Sequence, residues 1–103
     1  MILTLKNERL QVQVDTFGAE LKSISMDGCE YLWQGDPAYW TGRSPILFPI
    51  IGGLPEDRYT WKGQTYEMRS HGFAKRSEFS VVSHTDDALT LRLTDNDETR
   101  AQY

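Results

Sequence analysis

The chain has one cysteine, Cys29, among its 103 residues. An internal disulfide is therefore excluded, and no Cys/His spacing suits a structural metal site. Basic clusters are equally scarce. The longest is Lys75-Arg76 and the formal net charge is −4, which argues against a nucleic-acid surface. No apolar run approaches the roughly 20 residues that a membrane helix needs. The N-terminus has no basic region followed by a long apolar stretch, so a signal peptide is not expected. No segment holds the 3.6-residue periodicity through three turns, and repeats, low-complexity tracts and linkers are missing. What these absences leave is one small globular domain, expected in a reducing cytoplasm, with Cys29 as an ordinary turn or core residue.

The periodicity that is present has period two. Leu10–Val14, Phe79–Val81 and Leu89–Leu93 alternate apolar and polar residues, as strands with one covered face do. Turn chemistry falls between such runs. Asn7-Glu8-Arg9 separates the first two strands, and Asp27-Gly28 closes a hairpin between Leu21–Ser25 and Tyr31–Trp33. Lys62-Gly63 joins Arg58–Trp61 to Thr65–Met68, and Asp86-Asp87 joins the last two strands. Asp36–Trp40 reads as one helical turn with Asp36 as cap, and Asp95–Ala101 as a loop or a single turn. The predicted fold is all-β and antiparallel, with strands at sandwich-like spacing.

Between Tyr39 and Arg76 lie the residues that could carry chemistry. Arg43 immediately precedes the apolar run Pro45–Ile51, and Gly52-Gly53 follows it. Read as a strand, that run is expected to be the most buried segment. Arginine offers a rigid fork of donors for hydroxyls or anions, although an exposed arginine in a salt bridge is the commoner use. His71 opens the sequence His71-Gly72-Phe73-Ala74-Lys75-Arg76. Its imidazole can donate or accept near neutral pH, or serve as a satisfied structural histidine. Strand alternation would turn Lys75 and Arg76 to opposite faces. His84, in an expected turn, has no such context. Most of the aromatics read as core. Trp40 is the exception, since it sits in the loop that leads to Arg43. Asp95, Asp97 and Glu98 lack the spacing of a calcium loop and read as solvated.

The segments GAELKSI (Gly18–Ile24), YLWQGDPAYW (Tyr31–Trp40) and the Arg43–Arg76 constellation occur in an order that resembles the aldose 1-epimerase (galactose mutarotase-like) superfamily, in its LacX-like branch. The resemblance implies the N-terminal portion of a galactose mutarotase-like supersandwich. It implies a small sugar as substrate and a reaction that needs neither metal nor nucleotide cofactor. It also implies that Arg43, His71 and Lys75 contact the sugar, with His71 a possible auxiliary in proton transfer; Trp40 is expected to join them from its place in the loop before Arg43. Arg43 and His71 are expected to converge on one face. Lys75 stands where this motif more often has arginine, which disfavours a phosphorylated substrate because an ammonium lacks the bidentate fork. The family's principal acid, a histidine, and base, a glutamate, lie in its C-terminal portion and have no counterpart here. The chain is accordingly expected to be a truncated, inactive binding half with an open edge that favours self-association. A non-catalytic carbohydrate-binding sandwich and an inactive remnant are the alternatives.

Overall fold

A computed structural model describes residues 1–103. The first three strands form as their alternation dictates. β1 (Ile2–Lys6), β2 (Leu10–Asp15) and β3 (Glu20–Met26) make an antiparallel meander, in which Leu3 faces Val14 and Leu5 faces Val12. Asn7 shapes the first turn, its Oδ1 accepting from the Arg9 and Leu10 amides at 2.8 Å. A bulge between Gln13 and Val14 shifts the β2–β3 register, which bends the strand and increases its twist.

The second half of the expected β3 hairpin is cut short. β4 is only Cys29–Glu30, and Tyr31–Trp33 does not continue it. The cause is Glu30. Its carboxylate accepts from the Ile24 amide at 2.8 Å and the Leu32 amide at 3.0 Å, and from the Ser23 hydroxyl. The side chain thereby takes the Ile24 amide that a longer hairpin would have given to the Tyr31 carbonyl; the Tyr31 amide still donates to the Ile24 carbonyl at 2.7 Å, and beyond it the chain curls away. Cys29 on this strand is exposed rather than in a core.

Two hairpins follow. β5 (Arg58–Trp61) pairs with β6 (Gln64–Glu67) across Lys62-Gly63, and Tyr59 stacks on its partner Tyr66 with ring centroids 5.1 Å apart. β7 (Ser80–His84) pairs with β8 (Leu89–Arg92) across Asp86-Asp87. This last hairpin lies against β1: the Lys6 amide donates to the Asp86 carbonyl at 2.7 Å, and His84 Nε2 to that of Thr4 at 3.0 Å. His84 is thus a strand residue linking two sheets. The helix α1 (Asp97–Gln102) is one and a half turns long, capped by Asn96 and Thr99 reciprocally. Asp95 and Asp97 both pair with Arg100 on its surface. Asp36–Trp40 is a turn rather than a helix, with the Asp36 carboxylate accepting from the Ala38 amide.

The run Pro45–Ile51 departs most from expectation. It forms no strand; its one β contact is a single parallel bridge from Phe48 to Gly72. Nor is it buried: Phe48 is 51 % and Ile51 81 % exposed. Two features of the sequence explain this. Pro45 and Pro49 carry no amide hydrogen and cannot complete a ladder. In addition, the cover on this face is partial: Phe73 meets Phe48 edge-on, and the cavity beside them is open. Only 7 of 103 residues are buried, chief among them Val14, Thr16 and Met68, and the radius of gyration is 16.4 Å, against about 13 Å for a compact domain of this length. The strands are antiparallel throughout, laid out as a broad slab.

Candidate functional site

The loop from Trp33 to Arg43 is closed by three neighbouring residues of the WQG segment. Trp33 Nε1 donates to the Trp40 carbonyl at 2.9 Å. Gly35, at φ 70°, lets the Thr41 carbonyl pass; a Cβ there would lie 2.6 Å from that oxygen. Between them, Gln34 points back to the sheet and donates to the carbonyls of Lys22 (3.0 Å) and Leu32 (3.1 Å). Its amide oxygen accepts from Arg43 Nη1 at 3.1 Å, and the same Nη1 donates to the Lys22 carbonyl at 2.6 Å. Ser44 adds a bond to the Leu21 carbonyl at 2.8 Å. The edge of β3 beyond β4 is therefore paired by side chains, and of these only Gln34 touches Arg43. Half-buried, Arg43 forms no ion pair.

His71 is held differently. Its amide donates to the Gly52 carbonyl, and the Gly52 amide donates to its Nδ1, both at 2.9 Å. An Nδ1 that accepts requires the neutral ring's proton on Nε2. The imidazole thus presents Nε2–H as a donor. His71 itself adopts φ 63°, and Gly72 follows at φ 72°. Glycine is obligatory at 72, because a Cβ would lie 2.2 Å from the Phe48 carbonyl. That carbonyl accepts from the Phe73 and Ala74 amides, and the Phe48 amide donates to the His71 carbonyl.

After Gly72 the chain enters a 3-10 turn, Ala74–Arg76, so the strand alternation expected of Lys75 and Arg76 does not apply. Arg76 turns inward and donates to the Gly72 carbonyl at 2.6 Å. Burial, with Arg69 nearby, pulls its guanidinium below the ordinary arginine value, yet an arginine stays charged at any physiological pH. Lys75, half-buried, makes no ion pair. Trp40 is 53 % exposed and lies over Gly42.

The structure brings Arg43 and His71 to the two ends of one apolar segment. Phe48, five residues after Arg43, bridges Gly72, so up to ~17 Å of extended chain can separate the two sites. No hydrogen bond joins the two side chains. A mostly apolar cavity of about 450 Å³ is lined by Ile46, Phe48, Phe73, Phe79 and Leu93 among others, and includes none of Trp40, Arg43, His71 and Lys75. Sequence reasoning missed Gln34. It stood inside a quoted segment, but a contact spanning positions 22, 34 and 43 leaves no periodic trace.

The antiparallel sheets and their order define a part of a galactose mutarotase-like fold. The chain superposes on a galactose mutarotase related enzyme from Lactobacillus acidophilus with a TM-score of 0.97 at 41% identity, covering 100% of this chain and 35% of that one. A galactose mutarotase-like protein from Lactobacillus casei gives 0.96 at 36% identity, covering 100% and 36%. Over 109 aligned residues the chain is 42% identical to protein LacX of Lactococcus lactis subsp. lactis, covering 100% of this chain and 36% of LacX. The aldose 1-epimerase family model matches residues 1–103. The chain belongs to the aldose 1-epimerase family. It spans about a third of the length of the relatives it matches. No helix is long and apolar enough to cross a membrane.

Proposed function

We propose that this chain is the carbohydrate-binding part of a sugar 1-epimerase-like protein, one that interconverts α and β anomers by acid/base ring opening in the cytoplasm. In that reaction an acid protonates the ring oxygen while a base removes the proton of the C1 hydroxyl. The C1–O5 bond breaks, the resulting aldehyde turns about C1–C2, and the two groups exchange roles as the ring closes. Protons gained and lost balance, so no metal, nucleotide or redox partner is called for. Within it, His71 offers Nε2–H to a sugar oxygen and Arg43 offers its remaining N–H donors. Lys75 supplies a further ammonium and Trp40 an aromatic face. The open sheet edges and exposed apolar face also suit self-association.

The observation that carries the reading is the reciprocal Gly52–His71 pair, which fixes the imidazole as a directed, neutral donor. No carboxylate hydrogen-bonds or pairs with His71 or Arg43, which fits a binding role better than paired proton exchange.

The test is a titration of the 103-residue chain with D-galactose and with D-glucose, followed by NMR shifts, beside polarimetry of the freshly dissolved α anomers. Saturable shifts at millimolar sugar are expected, weakened at least tenfold by Arg43→Ala, with mutarotation at the buffer rate. Absence of saturable shifts, or binding indifferent to Arg43→Ala, would overturn the binding assignment. Acceleration that scales with protein and vanishes in His71→Ala would instead make the chain an enzyme by itself.

A further inference from the structure

Arginine has five N–H donors: one on Nε and two on each terminal nitrogen. Both Nη1 protons of Arg43 are committed, one to the Lys22 carbonyl and one to Gln34 Oε1. Nε and Nη2 have no hydrogen-bond partner within the chain. Nη1 is the nitrogen on the Cδ side, so the uncommitted donors are Nε–H and Nη2–H on the opposite, side-on edge. Those two point in parallel, the geometry that grips two adjacent oxygen acceptors at once. No carboxylate of the chain occupies it.

Gln34 decides the orientation. The Lys22 carbonyl alone would leave the guanidinium free to rotate about the bond it accepts. A second acceptor on the same nitrogen fixes the plane. Gln34 can supply it because its own amide is oriented: Nε2 spends its two protons on the Lys22 and Leu32 carbonyls, which turns Oε1 toward Arg43. The assignment of oxygen and nitrogen in that amide follows from the chemistry, since carbonyls require the donor end and a guanidinium the acceptor end.

We propose that Gln34 is the positioning residue for Arg43, locking its Nη1 face to β3 so that the Nε–Nη2 edge is held as a bidentate fork for two neighbouring oxygens of a sugar ligand. The ligand class rests on the reading under "Proposed function"; the positioning does not.

Three variants separate the two in the 103-residue chain. Gln34→Met keeps the volume and removes both the acceptor and the donors. Ser44→Ala breaks another bond to the same strand edge without touching Arg43, and serves as the control for general loosening. Arg43→Ala removes the fork. The first readout is proton exchange at the Arg43 side chain by NMR. In the unmodified chain the Nη1 protons should exchange more slowly than those of Nη2; equal rates would overturn the inference without any variant. Gln34→Met should abolish that difference while Ser44→Ala preserves it. The second readout is affinity for D-galactose. Gln34→Met should weaken it about fivefold, the worth of one hydrogen bond of about 1 kcal/mol, and Ser44→Ala should leave it unchanged. Equal losses in both would reduce Gln34 to a structural residue. If Arg43→Ala binds sugar like the unmodified chain, the sugar reading fails while the exchange data still decide the role of Gln34. Should Gln34→Met not fold, Gln34→Ala takes its place: it removes the acceptor and both donors, so the exchange difference should again collapse.

Discussion

The two ends of the candidate site are held for different reasons. His71 is set by the main chain, through its paired bonds with Gly52, the Phe48 carbonyl and the left-handed turn at Gly72. Arg43 is set largely by a side chain, through Gln34 and the Lys22 carbonyl that the two share. A side-chain tether can be cut by one substitution with the backbone left in place. A backbone clamp is broken only by forcing atoms apart, and the break travels. Stability should therefore be concentrated at the His71 end, and tunability at the Arg43 end.

The harshest test of that contrast is Gly72→Ala. The new Cβ would need to share space with the Phe48 carbonyl at φ 72°. Left-handed backbone costs an alanine ~1–2 kcal/mol, and overpacking adds ~1–3. A loss of about 2–5 kcal/mol is expected in urea denaturation, against a total stability that seldom exceeds ~15 kcal/mol. Gly53→Ala is the control, because its Cβ would meet nothing closer than Ser70 Oγ at 3.9 Å. It should be neutral or slightly stabilising. Equal losses at the two glycines would mean that the Phe48–Gly72 contact is not a clamp.

Phe48→Ala comes next. As a core residue it would cost about 3–5 kcal/mol. With half its surface exposed and an edge-on contact to Phe73 at 6.3 Å between centroids, about 1–2 kcal/mol is expected. A loss above about 3 kcal/mol would show that the face is covered in solution, by another copy of the chain if the loss depends on protein concentration.

That correction marks where the sequence stopped being legible. The hairpins at Asn7–Arg9, Lys62-Gly63 and Asp86-Asp87 could be read because alternation and turn chemistry are local, and each strand pairs with its neighbour. The run Pro45–Ile51 has the apolar composition of a buried strand, yet its two prolines already argued against a ladder. Apolar composition alone does not report where backbone hydrogen bonds can form. The end of β4 is illegible for a related reason: no propensity announces that a glutamate will take the amides of residues 24 and 32. Motif resemblance singled out Arg43 and His71 as candidates, and the family assignment bears out the resemblance itself. What holds each of them, Gln34 in one case and Gly52 in the other, comes from contacts 9 and 19 residues apart in the chain.

His71→Asn separates clamp from function at the backbone-held end. Asn Oδ1 can take the position of Nδ1 and accept from Gly52, and asparagine tolerates φ 63° better than most residues. Stability should fall by less than about 1 kcal/mol. The Nε2–H donor is lost, so affinity for D-galactose should drop about fivefold. A large stability loss with unchanged affinity would assign His71 to structure alone.

The smallest effect expected is confined to acid, and it falls on the side-chain-held region. Bonds from the Ser23 hydroxyl and the Ile24 amide, then from Leu32, hold the Glu30 carboxyl below its ordinary value of 4.5. A carboxyl depressed by folding stabilises the native state at pH above its unfolded value, and that contribution disappears as pH falls through the folded value. Above about pH 5 the clamp should therefore be intact, and below 4.5 it should weaken progressively. Glu30 is solvent-exposed, so the global change should be slight. The local one is readable as faster amide exchange at Ile24 and Leu32, corrected for the intrinsic pH dependence, with Met68 as a buried reference. Glu30→Gln can still accept from Ile24 but carries no charge, and should show little of this acid step. If Ile24 and Leu32 open in acid equally in Glu30→Gln, the step belongs to another carboxylate. The edge of β3 would then be held chiefly by Gln34, Arg43 and Ser44, and the contrast between the two ends of the site would be sharper still.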